Sequence, residues 1–113
     1  MNININKVKI SVTVPSENVN KLREEMCKMG AGVIGNYSHC SISTNCIGTF
    51  KPNKDADPYI GLSDKMEFVE EIKLELICEV DKVKKVISKL REVHPYEEPG
   101  IDIIPLIDED FFN

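Results

Sequence analysis

With 113 residues, 42% hydrophobic and 29% charged, the chain holds enough apolar material for one modest core and lacks the length for a second. Its formal net charge of -5 repels nucleic acid and anionic membrane surfaces. No apolar run reaches the ~18 residues that span a bilayer, the start MNININKVK lacks the apolar core of a signal peptide, and the 4 cysteines contain no Cys-x-x-Cys pair. A cytoplasmic chain with reduced thiols is expected, with neither nucleic acid nor membrane as partner.

In chain order, Val8, Ile10, Val12 and Val14 alternate with Lys9, Ser11 and Thr13, the period of a strand with one buried face. Pro15 and Ser16 break that pattern and Ser16 can cap a helix. Val19, Leu22, Met26 and Met29 then recur at spacings of three and four until Gly30 stops it. Cys27 falls within this helix. Residues 33–44 read as a second strand of low apolar content, with Tyr37 and His39 on one side and Ser38, Cys40 and Ile42 on the other. From 45 to 65 no period survives, and Pro52, Asn53, Asp55, Asp57, Pro58 and Gly61 supply turn chemistry, so a long loop is expected there, either a binding loop or disordered.

The pattern returns at Met66, Phe68, Ile72, Leu74, Leu76 and Cys78, the longest strand, with Glu67, Lys73, Glu75 and Glu79 opposite. Asp81 can cap a second helix whose stripe is Val83, Val86, Ile87, Leu90 and Val93, until Pro95 ends it. The bases Lys82, Lys84, Lys85, Lys89 and Arg91 on this segment read as a solvated face. Ile101, Ile103, Ile104 and Leu106 give a short last strand before an acidic tail, 108–113, that carries two phenylalanines.

Strand, helix, strand, strand, helix, strand is the order of a ferredoxin-like βαββαβ sandwich, an α+β fold with two helices on one face of an antiparallel sheet. The other face is left open. It and the edges need cover, and Tyr37, Ile77, Phe111 and Phe112 are candidates to provide it across a subunit boundary, so a homo-oligomer is expected.

Two segments hold most of the chemistry: 30–50, GAGVIGNYSHCSISTNCIGTF, and 94–99, HPYEEP. Tyr37, His39, Ser41 and Thr49 from the first, with His94, Tyr96, Glu97 and Glu98 from the second, form the candidate ligand-binding set. Imidazole, thiolate and carboxylate suit a divalent metal, and His39, Cys40, His94 and Glu97 form the candidate metal set, with Cys46 and Glu98 as further donors. Against it, His39 and Cys40 point to opposite faces of a regular strand, and each histidine could equally be a hydrogen-bonded structural group. HPYEEP can be a rigid corner from helix to strand, or Tyr96, Glu97 and Glu98 can line an intersubunit cleft. The glycines at 30, 32 and 35 do not fall in a phosphate-binding order, and no nucleophile–base motif is present, so no catalytic residue is assigned and a binding module is favoured over an enzyme.

The combination of GAGVIGNYSHCSIST, the GTF at 48–50 and HPYEEP resembles the inserted PII/CutA-like domain of the YqfO, NGG-interacting-factor-three-like family, over nearly the whole chain. HPYE followed by proline is also similar to the CutA family, which is associated with divalent cation tolerance. The resemblance implies a ferredoxin-like fold, here standing alone as one domain over 1–113, assembled as a trimer with a small ligand or divalent metal in the clefts between subunits. Full-length relatives join this module to a di-metal core described as a GTP cyclohydrolase-type hydrolase, which the insert covers or gates. Such a core needs a longer chain and several histidines, whereas this one has His39 and His94 alone. The implied role is thus regulatory, with a partner protein supplying the core; the alternative is a metal-dependent hydrolase or its accessory subunit.

Overall fold

The two periods in the sequence fold into two kinds of element with a shared apolar side. The computed structural model of the chain describes residues 3–112. It contains β1 (Lys7–Pro15), α1 (Val19–Lys28), β2 (Ile42–Phe50), β3 (Glu67–Glu79), α2 (Val83–Val93) and β4 (Ile101–Leu106). The strands lie in the order β2-β3-β1-β4 and every neighbouring pair is antiparallel. This is the expected ferredoxin-like arrangement. Among the described residues, no helix is long and apolar enough to cross a membrane.

The core forms where the even-numbered residues of β1 and β3 meet the helices. Ile10 and Val14 of β1, Leu74 of β3, Met26 of α1, and Val86 and Leu90 of α2 are all fully buried. Each such side chain contributes about 1.5–3 kcal/mol relative to exposure. Cys78 is buried with them and Cys27 is half-buried. Burial raises both thiols above their ordinary value, so they stay protonated and behave as small apolar groups.

Both helices are entered through 3₁₀ turns, Ser16–Asn18 and Val80–Lys82, and neither Ser16 nor Asp81 caps its helix. Gly30 does stop α1. Its φ of 109° is open to glycine, and its N–H and that of Ala31 satisfy the carbonyls of Cys27 and Met26 at 3.0 and 3.2 Å.

The second strand lies further along the chain than the pattern suggests. Residues 33–41 do not extend: Gly32, Gly35 and His39 all have positive φ, and Ile34 and Tyr37 close a tight turn with paired 2.9 Å hydrogen bonds. β2 instead occupies 42–50, so the irregular loop begins after Phe50 and not at 45. Arg23 of α1 braces the start of that strand, with Nε donating to Ser41 Oγ and Nη2 to Ser43 Oγ, both at 3.0 Å, while Nη1 donates to Asn20 Oδ1 at 2.9 Å.

β3, at 13 residues, outruns β1. Pro15 pairs with Glu71, beyond which Glu67–Glu70 pair with β2 alone, so a two-stranded arm projects from the sandwich. The radius of gyration, 15.8 Å, accordingly exceeds the roughly 13 Å of a compact chain of this length. At the other end, Phe111 and Phe112 stack edge to face at 5.2 Å, with Phe112 exposed and Phe111 half-buried. Asn113, the last residue of the acidic tail, lies outside the described residues.

Candidate functional site

Where the arm leaves the sandwich, three segments converge on the helix-free side of the sheet. The loop after β2 folds back, closed by Asp64 N–H on Pro52 O at 2.6 Å. It is tied to the HPYEEP corner by Asp57 N–H on Glu97 Oε1 at 3.0 Å, and to the turn before α1 by Tyr59 Oη on Glu17 Oε1 at 3.3 Å. Between arm, loop and corner lies a cleft of about 620 Å³. Its walls carry Phe50, Tyr59 and Tyr96, and its floor Gly48, Glu71 and Lys73.

Glu71 is the unusual group here. It shares the helix-free face with Lys73 and Glu75, where a charged side chain normally stands in water, yet it is only 6% exposed. Tyr96 Oη donates to its Oε2 at 2.6 Å. Its carboxylate forms no ion pair among the described residues, and Oε1 has no hydrogen-bond donor among them. Gly48 makes room for it, since a Cβ there would overlap Oε1.

Tyr96 donates as a neutral phenol, and its surroundings keep it neutral. Burial first, then the hydrogen bond to Glu71 and that carboxylate's charge, hold its proton well above the ordinary tyrosine range. Its ring lies 6.4 Å from Phe50 and 6.2 Å from Tyr59, both tilted, which makes it the hub of an aromatic cluster.

His94 fixes that hub from behind. Its Nε2 lies 2.8 Å from the carbonyl of Thr13, and its Nδ1 accepts the Tyr96 N–H at 3.0 Å. A carbonyl can only accept, so the proton sits on Nε2 and the ring is neutral. Burial lowers its affinity for a second proton, outweighing the opposing pull of Thr13 and Glu71. Both nitrogens are thus engaged in holding the corner against β1.

The candidate residues divide into two groups. Thr49, Tyr96, Glu97 and Glu98 line the cleft, with His94 behind Tyr96. Tyr37, His39, Cys40 and Ser41 do not line it. Tyr37 is 75% exposed on its turn. His39 lies beside α1, its Nε2 3.1 Å from Glu24 Oε2 and its Nδ1 2.9 Å from Ser38 Oγ. Cys40 Sγ lies 3.8 Å from Ser38 O, and Ser41 accepts from Arg23.

The metal set His39, Cys40, His94 and Glu97 is therefore not brought together within one chain. No group of three or more His, Cys, Asp or Glu able to hold a metal ion occurs among the described residues. His94 has no free nitrogen to offer, and Glu97 accepts a backbone N–H across the cleft. The residues do not fit a metal centre contained in one subunit. Conversely, Glu71 and Tyr59 escape the sequence reading, and Gly48 and Phe50 enter it only through the GTF motif, outside the candidate set. A period-two pattern puts Glu71 on the same footing as Lys73, and only the corner folding over it makes it buried.

No protein-family model matches the chain. Among curated relatives, it is 43% identical over 101 residues to a GTP cyclohydrolase 1 type 2 homolog from Halalkalibacterium halodurans, covering 89% of this chain and 27% of the relative. The chain is similar to one segment of a longer protein. Among solved structures, it matches a Bacillus cereus protein related to NIF3 with a TM-score of 0.80 and 36% identity, over 92% of this chain and 26% of that one. CutA from Synechococcus elongatus aligns with a TM-score of 0.69 at 13% identity, over 94% of this chain and 81% of that one, a likeness of fold. The chain thus spans about a quarter of the curated relatives it matches and most of the length of a CutA subunit.

Proposed function

We propose that this chain is a regulatory binding module that assembles with copies of itself, as a trimer, and takes a small ligand in the cleft beside the arm. The cleft carries the reading: about 620 Å³ of space over a buried carboxylate, walled by aromatic rings and open on a face the chain itself leaves uncovered. Such a pocket, mostly apolar with few placed polar groups, has the make-up of a small-molecule site. The assembly rests on apolar groups exposed on the arm and on the opposite edge strand. Ile47 is 68% exposed and Phe68 71% exposed on the arm, and Ile103 and Ile104 of the opposite edge strand are nearly half exposed. Large apolar groups on paired strands call for a partner surface.

Similarity to a segment of GTP cyclohydrolase 1 type 2 homologs supports a role beside a hydrolase core, with the module covering or gating a partner that carries the di-metal centre. Catalysis by this chain is the weaker reading, because the groups in the cleft are a neutral phenol, a carboxylate bonded to it and a histidine with both nitrogens occupied. A divalent metal would need donors from a second subunit.

Native mass spectrometry of protein purified without a metal-affinity tag tests the proposal in one experiment. A trimer retaining a stoichiometric small mass is the expected result, with that mass lost on Glu71→Gln. A monomer across the micromolar range, binding nothing at the cleft, would overturn it.

A further inference from the structure

Resting on the reading of the cleft as a ligand site, the chemistry of its walls narrows the class of ligand. A carboxylate buried to 6% exposure is costly unless a charge or several donors compensate it. Glu71 has one neutral donor, the Tyr96 hydroxyl on Oε2 at 2.6 Å, and no cation within ion-pair distance among the described residues. Lys73 stands two residues along the same face without closing an ion pair with it, and Lys51 also lines the cleft.

Around this acid stand ring faces. Phe50 and Tyr59 flank Tyr96 at 6.4 and 6.2 Å between centroids, tilted by 51° and 48°, and all three border the same space. Aromatic faces attract cations through their negative quadrupole, and the attraction strengthens where water is excluded. Glu97 and Glu98 on the corner add acid at the rim. Among the described residues Glu71 Oε1 accepts no hydrogen bond, which leaves that oxygen open to a donor on a ligand.

We propose that the cleft binds a small organic cation, an ammonium on a flat apolar body, with the ammonium on Glu71 Oε1 and the body among Phe50, Tyr59 and Tyr96. Tyr96 acts as a positioning residue, turning the carboxylate so that Oε2 is occupied and Oε1 faces the ligand. Gly48 keeps that oxygen's approach clear.

Three probes of one shape separate the possibilities: phenethylammonium, neutral 2-phenylethanol and anionic phenylacetate, titrated into the chain with amide shifts followed by NMR. Phenethylammonium is expected to bind best, with shifts centred on Gly48, Glu71 and Tyr96, and Glu71→Gln is expected to weaken it about tenfold or more, as loss of a charge-assisted bond does. The same substitution should leave 2-phenylethanol unchanged. Stronger binding of phenylacetate, shifting Lys51 and Lys73, would overturn the cation assignment while leaving the cleft a ligand site. Equal binding of all three would do the same. If none perturbs the cleft, the reading of the cleft itself falls. The wild-type comparison stands alone should Glu71→Gln fail to fold.

Discussion

The sandwich and its arm are built from strands of the same sheet, yet they are stabilised in opposite ways. In the sandwich, β1 and the second half of β3 bury alternate residues completely beneath two helices, as at Ile10, Val14, Leu74 and Leu76. In the arm, β2 contains no buried residue at all, and Phe68 of β3 is 71% exposed. Backbone pairing holds the arm's strands together, and side-chain burial holds the body. A paired ribbon without a packed face is marginal in water, so the arm depends on what covers it.

That contrast can be broken or sharpened by substitution. In the body, Leu74→Ala should cost about 2–5 kcal/mol in urea unfolding, because the rigid surroundings leave a cavity; a loss near zero would mean that the core is not packed as described. At the junction, His94→Ala should cost about 2–3 kcal/mol, since it orphans the Thr13 carbonyl and the Tyr96 N–H.

His94 also carries a pH signature. Its proton affinity is lowered in the fold, so the unfolded chain takes up the proton more readily. Its contribution is fully present above the ordinary histidine value of 6.5 and is lost progressively as pH falls below it, towards the lower folded value. Wild type should therefore lose stability on acidification through that window, and His94→Ala should show a shallower loss there. Matching slopes would remove His94 from the account.

At the root of the arm, Gly48→Ala should cost about 1–3 kcal/mol, because the new methyl collides with a carboxylate that has little room to move. Thermal melts would show this, along with loss of phenethylammonium binding. Out on the arm, Phe68→Ser should change the unfolding of a dilute single chain by less than about 0.5 kcal/mol. It should nevertheless shift assembly to smaller species in sedimentation. A large change in the dilute chain, with assembly intact, would refute the division between body and arm.

The body was legible in the sequence because burial writes a period. Val8 to Val14, the stripe of α2 and the run from Ile72 to Cys78 alternate or recur as their surroundings require, and they gave the ferredoxin-like order. The arm wrote no such period, since no residue of β2 is fully buried, so its last six residues, NCIGTF, looked like the start of a loop. The preceding segment looked like a strand because a left-handed φ at His39 cannot be foreseen from its side chain. In the cleft, Tyr96, Glu97 and Glu98 were visible through their motif. Glu71 was not, since its burial comes from a segment 25 residues away that folds over it.

Arg23 links these two regions in a manner its neighbours cannot replace. One planar group spends three of its nitrogens on three separate oxygens, on its own helix, just before the arm's first strand and within that strand. A lysine would offer a single point of attachment on a flexible stem. The guanidinium therefore acts as a spacer gauge, setting how far along the helix the outer strand begins, and with it the height at which Gly48 meets the carboxylate across the sheet.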